Sequence, residues 1–464
     1  MKKKNYYGLF FVALGLMVAL MACENTTQKE QVNQMKKSKK LIHVDWSKNA
    51  NIYEVNLRQY TPEGTINAFK AHLPRLKAMG VDILWLMPIF PIGELNRKGS
   101  MGSYYAVADY QAVNPEFGTM DDLKSLVEEA HKMGMYVILD WVANHSAWDN
   151  PWATEHPEWY QHDSTGAFKS PFDWTDVIAF DYTNQALRDS MTAAMKFWVT
   201  DADVDGFRCD VAGMVPVDFW NDTRAQLDAV KPVFMLAEDE DKTALLNQAF
   251  DMNYAWKFHH VMNEIAQGKK PASQVWKYQK WNDSTFAPNA YRMLFITNHD
   301  ENSWNGTVGE RMGDAADAMA VLSYTFPGMP LIYSGQEAGL DKRLLFFEKD
   351  TIDWSNVKKE AFYTTLNHLK TAHPALWNGT AGGELIALSD KKDPAVVAFV
   401  RQKGNDKVLV ILNLSGDNQD FELNANQFAG DYMDVFSTEM VSLPSTSTFQ
   451  LKPWSYLVYA GIGN

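Results

Sequence analysis

YVILDWVANH, residues 136–145, runs through an apolar stretch to Asp140 and then delivers Asn144 and His145. Three further segments repeat the form: GFRCD (206–210), VFMLAE (233–238) and FITNHD (295–300). Short runs rich in Val, Ile, Leu or Phe read as buried parallel strands. Each of the four ends in a carboxylate, or in a carboxylate with His or Arg. Parallel strands carrying such groups at the same end bring them from distant sequence positions into one pocket.

Working outward, eight strand-like runs appear, at 52–57, 83–87, 136–140, 206–210, 233–238, 252–256, 295–298 and 331–334. Amphipathic stretches lie between them. Residues 122–131 put Leu123, Leu126, Val127 and Ala130 on one face, with Gly134 as a stop. Residues 184–200 do the same with Leu187, Met191, Met195 and Trp198. Eight alternations predict a (β/α)8 TIM barrel with its active site at the C-terminal strand ends. The connection 146–181 is long, aromatic and without helical period. It is expected to be a short subdomain inserted after strand 3 rather than a bare loop. Past His373 the pattern becomes strands at 395–401, 408–413, 420–423 and 456–459 separated by turn residues, as in an antiparallel β-sandwich domain.

Charge and cysteine usage narrow the function classes. The 464 residues carry a net charge of −14, with the first forty at +6 and the remainder at −20. An acidic body argues against a nucleic-acid partner. The 16 Trp and 19 Tyr suit core packing and also the stacking of rings on sugars. Two cysteines, Cys23 and Cys209, make no disulfide framework. Lys2, Lys3 and Lys4, the apolar run 6–22 and Cys23 read as a signal peptide. Its ending, Leu20 to Cys23, resembles a bacterial lipobox, with Cys23 the lipid-bearing residue. The expected organisation is therefore a signal peptide at 1–22, a flexible tether at 23–41, a catalytic barrel at 42–373 with its insert at about 146–181, and a C-terminal domain at 374–464. A bacterial cell-envelope location, with membrane contact through the lipid alone, follows from that reading. A transmembrane anchor is the alternative, and the apolar run is slightly short for one.

Each polar strand end has a plain structural reading. Arg208 and Asp210, at i and i+2, share a face and pair. Glu238 opens an acidic turn, and His299 with Asp300 is a common local pair. As an enzyme's groups they read differently. A guanidinium beside Asp210 favours its ionised form, and Glu238 at an apolar strand end suits a general acid. Four carboxylates, two His and one Arg gathered at four strand ends exceed what stability alone explains.

These motifs resemble those of the α-amylase family, glycoside hydrolase family 13. DWVANH, GFRCD, the segment ending at Glu238 and FITNHD match its four conserved regions in order. GSYYAVADYQAVNPEFGT (102–119) and GMPLIYSGQE (328–337) match as well. The resemblance implies Asp210 as nucleophile, Glu238 as general acid/base and Asp300 as transition-state stabiliser. It further implies that Arg208 orients Asp210, that His145 and His299 bond sugar hydroxyls, that Tyr105 is a stacking platform and that Asp140 supports the network. The implied activity is retaining cleavage of α-1,4 bonds in starch, maltodextrin or related α-glucans. α-Glucosidase and transglycosylase behaviour stay open. No cofactor is required. Where many members have Lys-His after the nucleophile, this chain has Val211 to Gly213, which weakens the case for calcium and leaves Asn144 as its candidate ligand. Glu240 stands where many members have Trp.

Two other classes compete. A non-catalytic glycan-binding lipoprotein has no need of Asp210, Glu238 and Asp300 together. A metal-dependent hydrolase built on His145 and His299 lacks metal-binding spacing, and His259-His260 is an isolated pair.

Overall fold

A computed structural model describes residues 41–424 and 426–462. The signal peptide, Cys23 and nearly all of the tether lie outside the described residues. Ten strands precede the C-terminal domain: β1 Ile52–Val55, β2 Ile83–Leu86, β3 Tyr136–Trp141, β4 His145–Ala147, β5 Val177–Ala179, β6 Gly206–Cys209, β7 Phe234–Ala237, β8 Met252–Tyr254, β9 Tyr291–Leu294 and β10 Met329–Tyr333. All except β4 and β5 form one closed parallel barrel, in which β10 returns to pair with β1. The TIM barrel is thus the observed fold.

Period-two alternation builds the barrel interior. Ile52, Ile83, Ile138, Phe234, Met252 and Leu331 are all buried in one apolar cluster inside it. Two residues further along their strands, the inward positions turn polar at Glu54 and Asp140, both 0% exposed. The helices outside follow their expected faces. Met120–Lys132 starts at a capping box, in which Thr119 accepts from the Asp122 N–H and Asp122 accepts from the Thr119 N–H. Its buried residues are Leu123, Leu126, Val127 and Ala130. Gln185–Asp201 is capped by Asn184 and buries Leu187, Met191, Met195 and Trp198.

Gly206 is the tightest point of the wall. A Cβ there would sit 1.8 Å from the Phe234 carbonyl oxygen, so β6 and β7 can approach only because the side chain is missing. Gly206→Ala is expected to cost about 3 kcal/mol, checked by urea unfolding. A change below about 0.5 kcal/mol would show that the wall yields freely.

One strand lies earlier than its sequence pattern suggests. The expected run 295–298 is not the seventh barrel strand; Tyr291–Leu294 is. Arg292 interrupts the apolar pattern and hides the strand. It is buried because it faces away from the barrel interior and pairs with Glu240 and Asn253. The ladder to β8 and β10 ends at Leu294, which leaves 295–300 to carry Asn298, His299 and Asp300 across the barrel mouth.

The insert after β3 is ordered by the antiparallel pair β4–β5 and the short helix Pro151–Glu155. The C-terminal domain is a six-stranded antiparallel sheet facing a two-stranded one. Strand Val396–Lys403 shows how it is mounted. Val397 and Phe399 pack toward the barrel helices, with Phe399 against Phe326 and Trp276, while Ala398 and Val400 join Phe421, Leu423 and Leu451 between the sheets. Four strands of this domain carry weak alternation and were not legible in the sequence: Glu384–Ala387, Gly430–Asp434, Met440–Leu443 and Thr446–Leu451.

Candidate active site

The eight predicted site side chains converge at the C-terminal end of the barrel, around a cleft of about 440 Å3. Tyr105, His145, Asp210, Glu238, His299 and Asp300 line it. Arg208 and Asp140 form its floor, both 0% exposed.

Arg208 is the organising group. Its Nη1 lies 2.9 Å from Asp140 Oδ1 and 3.3 Å from Asp210 Oδ1. Its Nη2 lies 2.9 Å from Glu238 Oε2, an ion pair too bent to count as a hydrogen bond. Its Nε donates to Tyr254 Oη at 3.1 Å. One guanidinium therefore fixes the spacing of Asp210 and Glu238. The backbone adds a second hold: Val211 N donates to Glu238 Oε2 at 2.9 Å. Val211 reaches that position at φ 36°, ψ 45°, a left-handed conformation that a β-branched residue adopts only under strain.

Glu54, which the sequence reading did not single out, extends the network. Buried on β1, its Oε1 accepts from His299 Nδ1 at 2.5 Å. His299 Nε2 lies 2.7 Å from Tyr105 Oη and 3.4 Å from Asp300 Oδ2. Tyr105 in turn donates to Asp140 Oδ2 at 3.0 Å, as does Trp85 at 3.2 Å. A continuous chain of hydrogen bonds thus links Glu54 to the nucleophile candidate, with Asp300 an ion-pair neighbour of His299. The signal for Glu54 was a lone acid inside an apolar strand, IYEV.

Five carboxyl groups, Glu54, Asp140, Asp210, Glu238 and Asp300, face two cations, Arg208 and His299. Arg208 alone does not keep Asp210 readily ionised, as the sequence suggested. Burial first, then the charge of Glu238, push the Asp210 carboxyl well above the usual range despite Arg208. Arg208 does not cancel these effects, and its guanidinium also faces Asp140 and Glu238. Burial likewise raises Asp300, against the pull of His299.

The two histidines differ. Burial lowers His145 to about 3, so it is neutral. Its 4.0 Å approach to Asp210 Oδ2 is not an ion pair. The Asn144 amide lies 3.2 Å from its Nδ1. With that amide donating, Nε2 carries the hydrogen and points a donor at the cleft. Burial also opposes the charge on His299, but Asp300 and Glu54 outweigh it and raise the imidazole to about 9. Because that value lies above the ordinary 6.5, the imidazolium is present in full at neutral pH and is lost as pH rises through about 9. The alkaline limb of kcat/KM is expected near that value, and Glu54→Gln is expected to move it to lower pH. An unmoved limb would assign the titration to another group.

An aromatic wall completes the cleft. Tyr105 stacks with Phe346 at 6.2 Å, and Trp304, 50% exposed, tilts against Phe346 at 5.2 Å. Trp304 is carried there by the π-helical turn Glu301–Asn305 directly after Asp300. Trp174 and Asp176 come from the insert, and Asp176 pairs with Lys98 at 3.0 Å. Glu240 is turned away from the cleft, its carboxylate held by Arg292 and by the Lys257 N–H. Among the described residues no three His, Cys, Asp or Glu side chains gather to hold a metal. Asn144, the candidate calcium ligand, turns its side-chain amide to His145.

Comparison with known proteins agrees with this geometry. The family model for the α-amylase catalytic domain matches residues 25–159 and 154–384, and that for the α-amylase SusG C-terminal domain matches 396–458. An α-amylase of Haloarcula japonica, MalA, is 29% identical over 392 residues, 80% of this chain and 56% of that protein. An α-1,4-glucan:maltose-1-phosphate maltosyltransferase of Bifidobacterium longum is 27% identical over 396 residues, 77% of this chain and 52% of that protein. The chain thus spans about half the length of these two relatives. The solved structure of a noncanonic maltogenic α-amylase, AmyB, from Thermotoga neapolitana superposes with a TM-score of 0.81 at 31% identity, covering 89% of this chain and 98% of that one.

Proposed function

The chain belongs to the α-amylase family, and on that footing we propose that it is a retaining glycoside hydrolase cleaving α-1,4 bonds in starch, maltodextrin or related α-glucans. The observation that carries this reading is the shared grip of Arg208 on Asp210 and Glu238 at the cleft floor, with Asp300 ion-paired to His299 beside them. Two carboxyl groups held close across one glycosidic bond suit a double displacement.

In this mechanism Asp210 attacks the anomeric carbon while Glu238 gives its proton to the departing glycosidic oxygen. The C–O bond to the leaving sugar breaks, and a covalent glycosyl-Asp210 forms. Glu238, now ionised, takes a proton from water as the water oxygen attacks the same carbon and releases Asp210. The reaction needs the proton on Glu238 and none on Asp210 when the bond breaks. Asp300 and the imidazolium of His299 flank the developing positive charge, with Asp300 the partner that stabilises it. Neutral His145 donates to a sugar hydroxyl, and the Tyr105 ring lies under the sugar. No metal enters these steps, and turnover is expected to survive a chelator.

A sugar hydroxyl can replace water in the second step, which makes transfer the same chemistry with a different acceptor. A time course on maltoheptaose, with product lengths resolved and Asp210→Asn as blank, tests the proposal. Shorter maltooligosaccharides from the native protein alone support it, and products longer than seven units move the assignment to transfer. No change on maltoheptaose, pullulan or isomaltooligosaccharides overturns the α-glucan reading.

We further propose that Cys23 bears lipid and tethers the chain to a bacterial envelope. The support is the basic start, the apolar run and the lipobox-like ending at Cys23. The mass of the Cys23 peptide from native membranes tests it.

A further inference from the structure

A second groove, about 1030 Å3 and larger than the cleft, runs between the helix Gln274–Thr285 and the start of the C-terminal domain. Its charge is opposite to that of the body around it. Lys277 and Lys280 stand on the helical wall and Lys391 and Lys392 on the facing turn, all four exposed. None pairs with a carboxylate among the described residues. Beneath them Arg401 is 1% exposed and donates only to the carbonyls of Thr325, at 3.0 Å, and Gly383. The buried Trp276 Nε1 has no acceptor. Arg292 also lines the groove but is neutralised by Glu240. The only lining carboxylates are Asp283 and Glu384. A cationic excess this concentrated, on a body of charge −20 beyond its first forty residues, is a site for an anionic partner.

Its position identifies the kind of partner. Gly328, which precedes β10, and Ala290, which precedes β9, line the groove, so it lies at the N-terminal end of the barrel, opposite the cleft. The loop that forms its rim also receives the incoming chain: His43 Nε2 contacts the Asn289 carbonyl at 2.8 Å, and His43 Nδ1 contacts Asp251 at 2.8 Å. Just upstream the sequence is basic again at Lys36, Lys37, Lys39 and Lys40. We propose that this groove is a docking surface for an anionic phospholipid membrane, which holds the barrel with its N-terminal end on the lipid and its cleft facing away. The inference rests on the lipid-bearing Cys23 for the tether, though not for the charge. An acidic body near an anionic surface is repelled unless a basic patch faces it.

The test uses the mature chain from residue 23 carrying Cys23→Ala, so that no lipid contributes. It is sedimented with vesicles of phosphatidylcholine containing about one third phosphatidylglycerol, and with pure phosphatidylcholine. Binding to the mixed vesicles alone is expected, weakening as salt is raised. The combined variant Lys277→Glu, Lys280→Glu, Lys391→Glu and Lys392→Glu is expected to bind at least about tenfold less, with its thermal unfolding and turnover unchanged. Equal binding by that variant, equal binding to pure phosphatidylcholine, no binding by the parent, or release by inorganic phosphate at the lipid-phosphate concentration would each overturn the proposal. An unacylated Cys23 in native membranes would remove the tether and leave the vesicle result standing.

Discussion

Asp210→Asn is expected to lower kcat on maltoheptaose by about ten-thousand-fold or more while raising, not lowering, the melting temperature at neutral pH. The first effect follows from removing the attacking oxygen. The second follows from the sign of the Asp210 shift. A carboxyl whose folded-state value lies above its unfolded value subtracts stability as pH rises from the unfolded value toward the folded one. A neutral amide of the same shape removes that penalty and still lies 3.3 Å or so from Arg208. The expected sign is a gain in stability, because burial and the neighbouring Glu238 both disfavour the Asp210 charge. Thermal unfolding and product chromatography read the two effects on the same preparation. Near-normal turnover would sink the nucleophile assignment. A fall in stability would mean that the ionised carboxylate is favoured where it stands. Glu238→Gln separates the roles further, because a substrate with a leaving group that needs no proton should restore its first step and do nothing for Asp210→Asn.

Arg208→Met should instead destabilise the protein by about 3 to 5 kcal/mol at neutral pH, because it strips the cation from three carboxylates in a buried site. Asp140 is 0% exposed and has no other cation at bonding distance among the described residues. The deficit is expected to shrink as the pH is lowered and the stranded carboxyls take up protons. Urea unfolding at about pH 7 and about pH 5 measures both, and a pH-independent deficit would make lost packing against Trp85 and Tyr254, rather than charge, the main effect. Activity should be lost at either pH, since the Val211 N–H would still hold Glu238 but no cation would orient Asp210.

These predictions draw on different layers of information. The barrel was legible because a parallel strand buried on both faces is written locally, as a short apolar run, and eight such runs with helical spacers admit few topologies. The candidate site residues were legible because each polar group sits at the end of its own run, where YVILDWVANH, GFRCD, VFMLAE and FITNHD place them. The seventh strand was misplaced because the pattern at 291–294 contains Arg292, and only the packed neighbours Glu240 and Asn253 make a buried Arg acceptable there.

The chain by itself therefore determined which polar groups stand at the strand ends, since strand periodicity is a property of neighbours in sequence. Closure of the barrel decided what they do to one another. It set His299, from beyond the ninth strand, between Asp300 and Glu54 of the first, and so made that imidazole a cation. It buried Asp210 beside Glu238 with one guanidinium shared among three carboxylates, and so raised the Asp210 carboxyl that Arg208 seemed to secure. Charge acts through space and burial, and neither exists until the first and last strands meet.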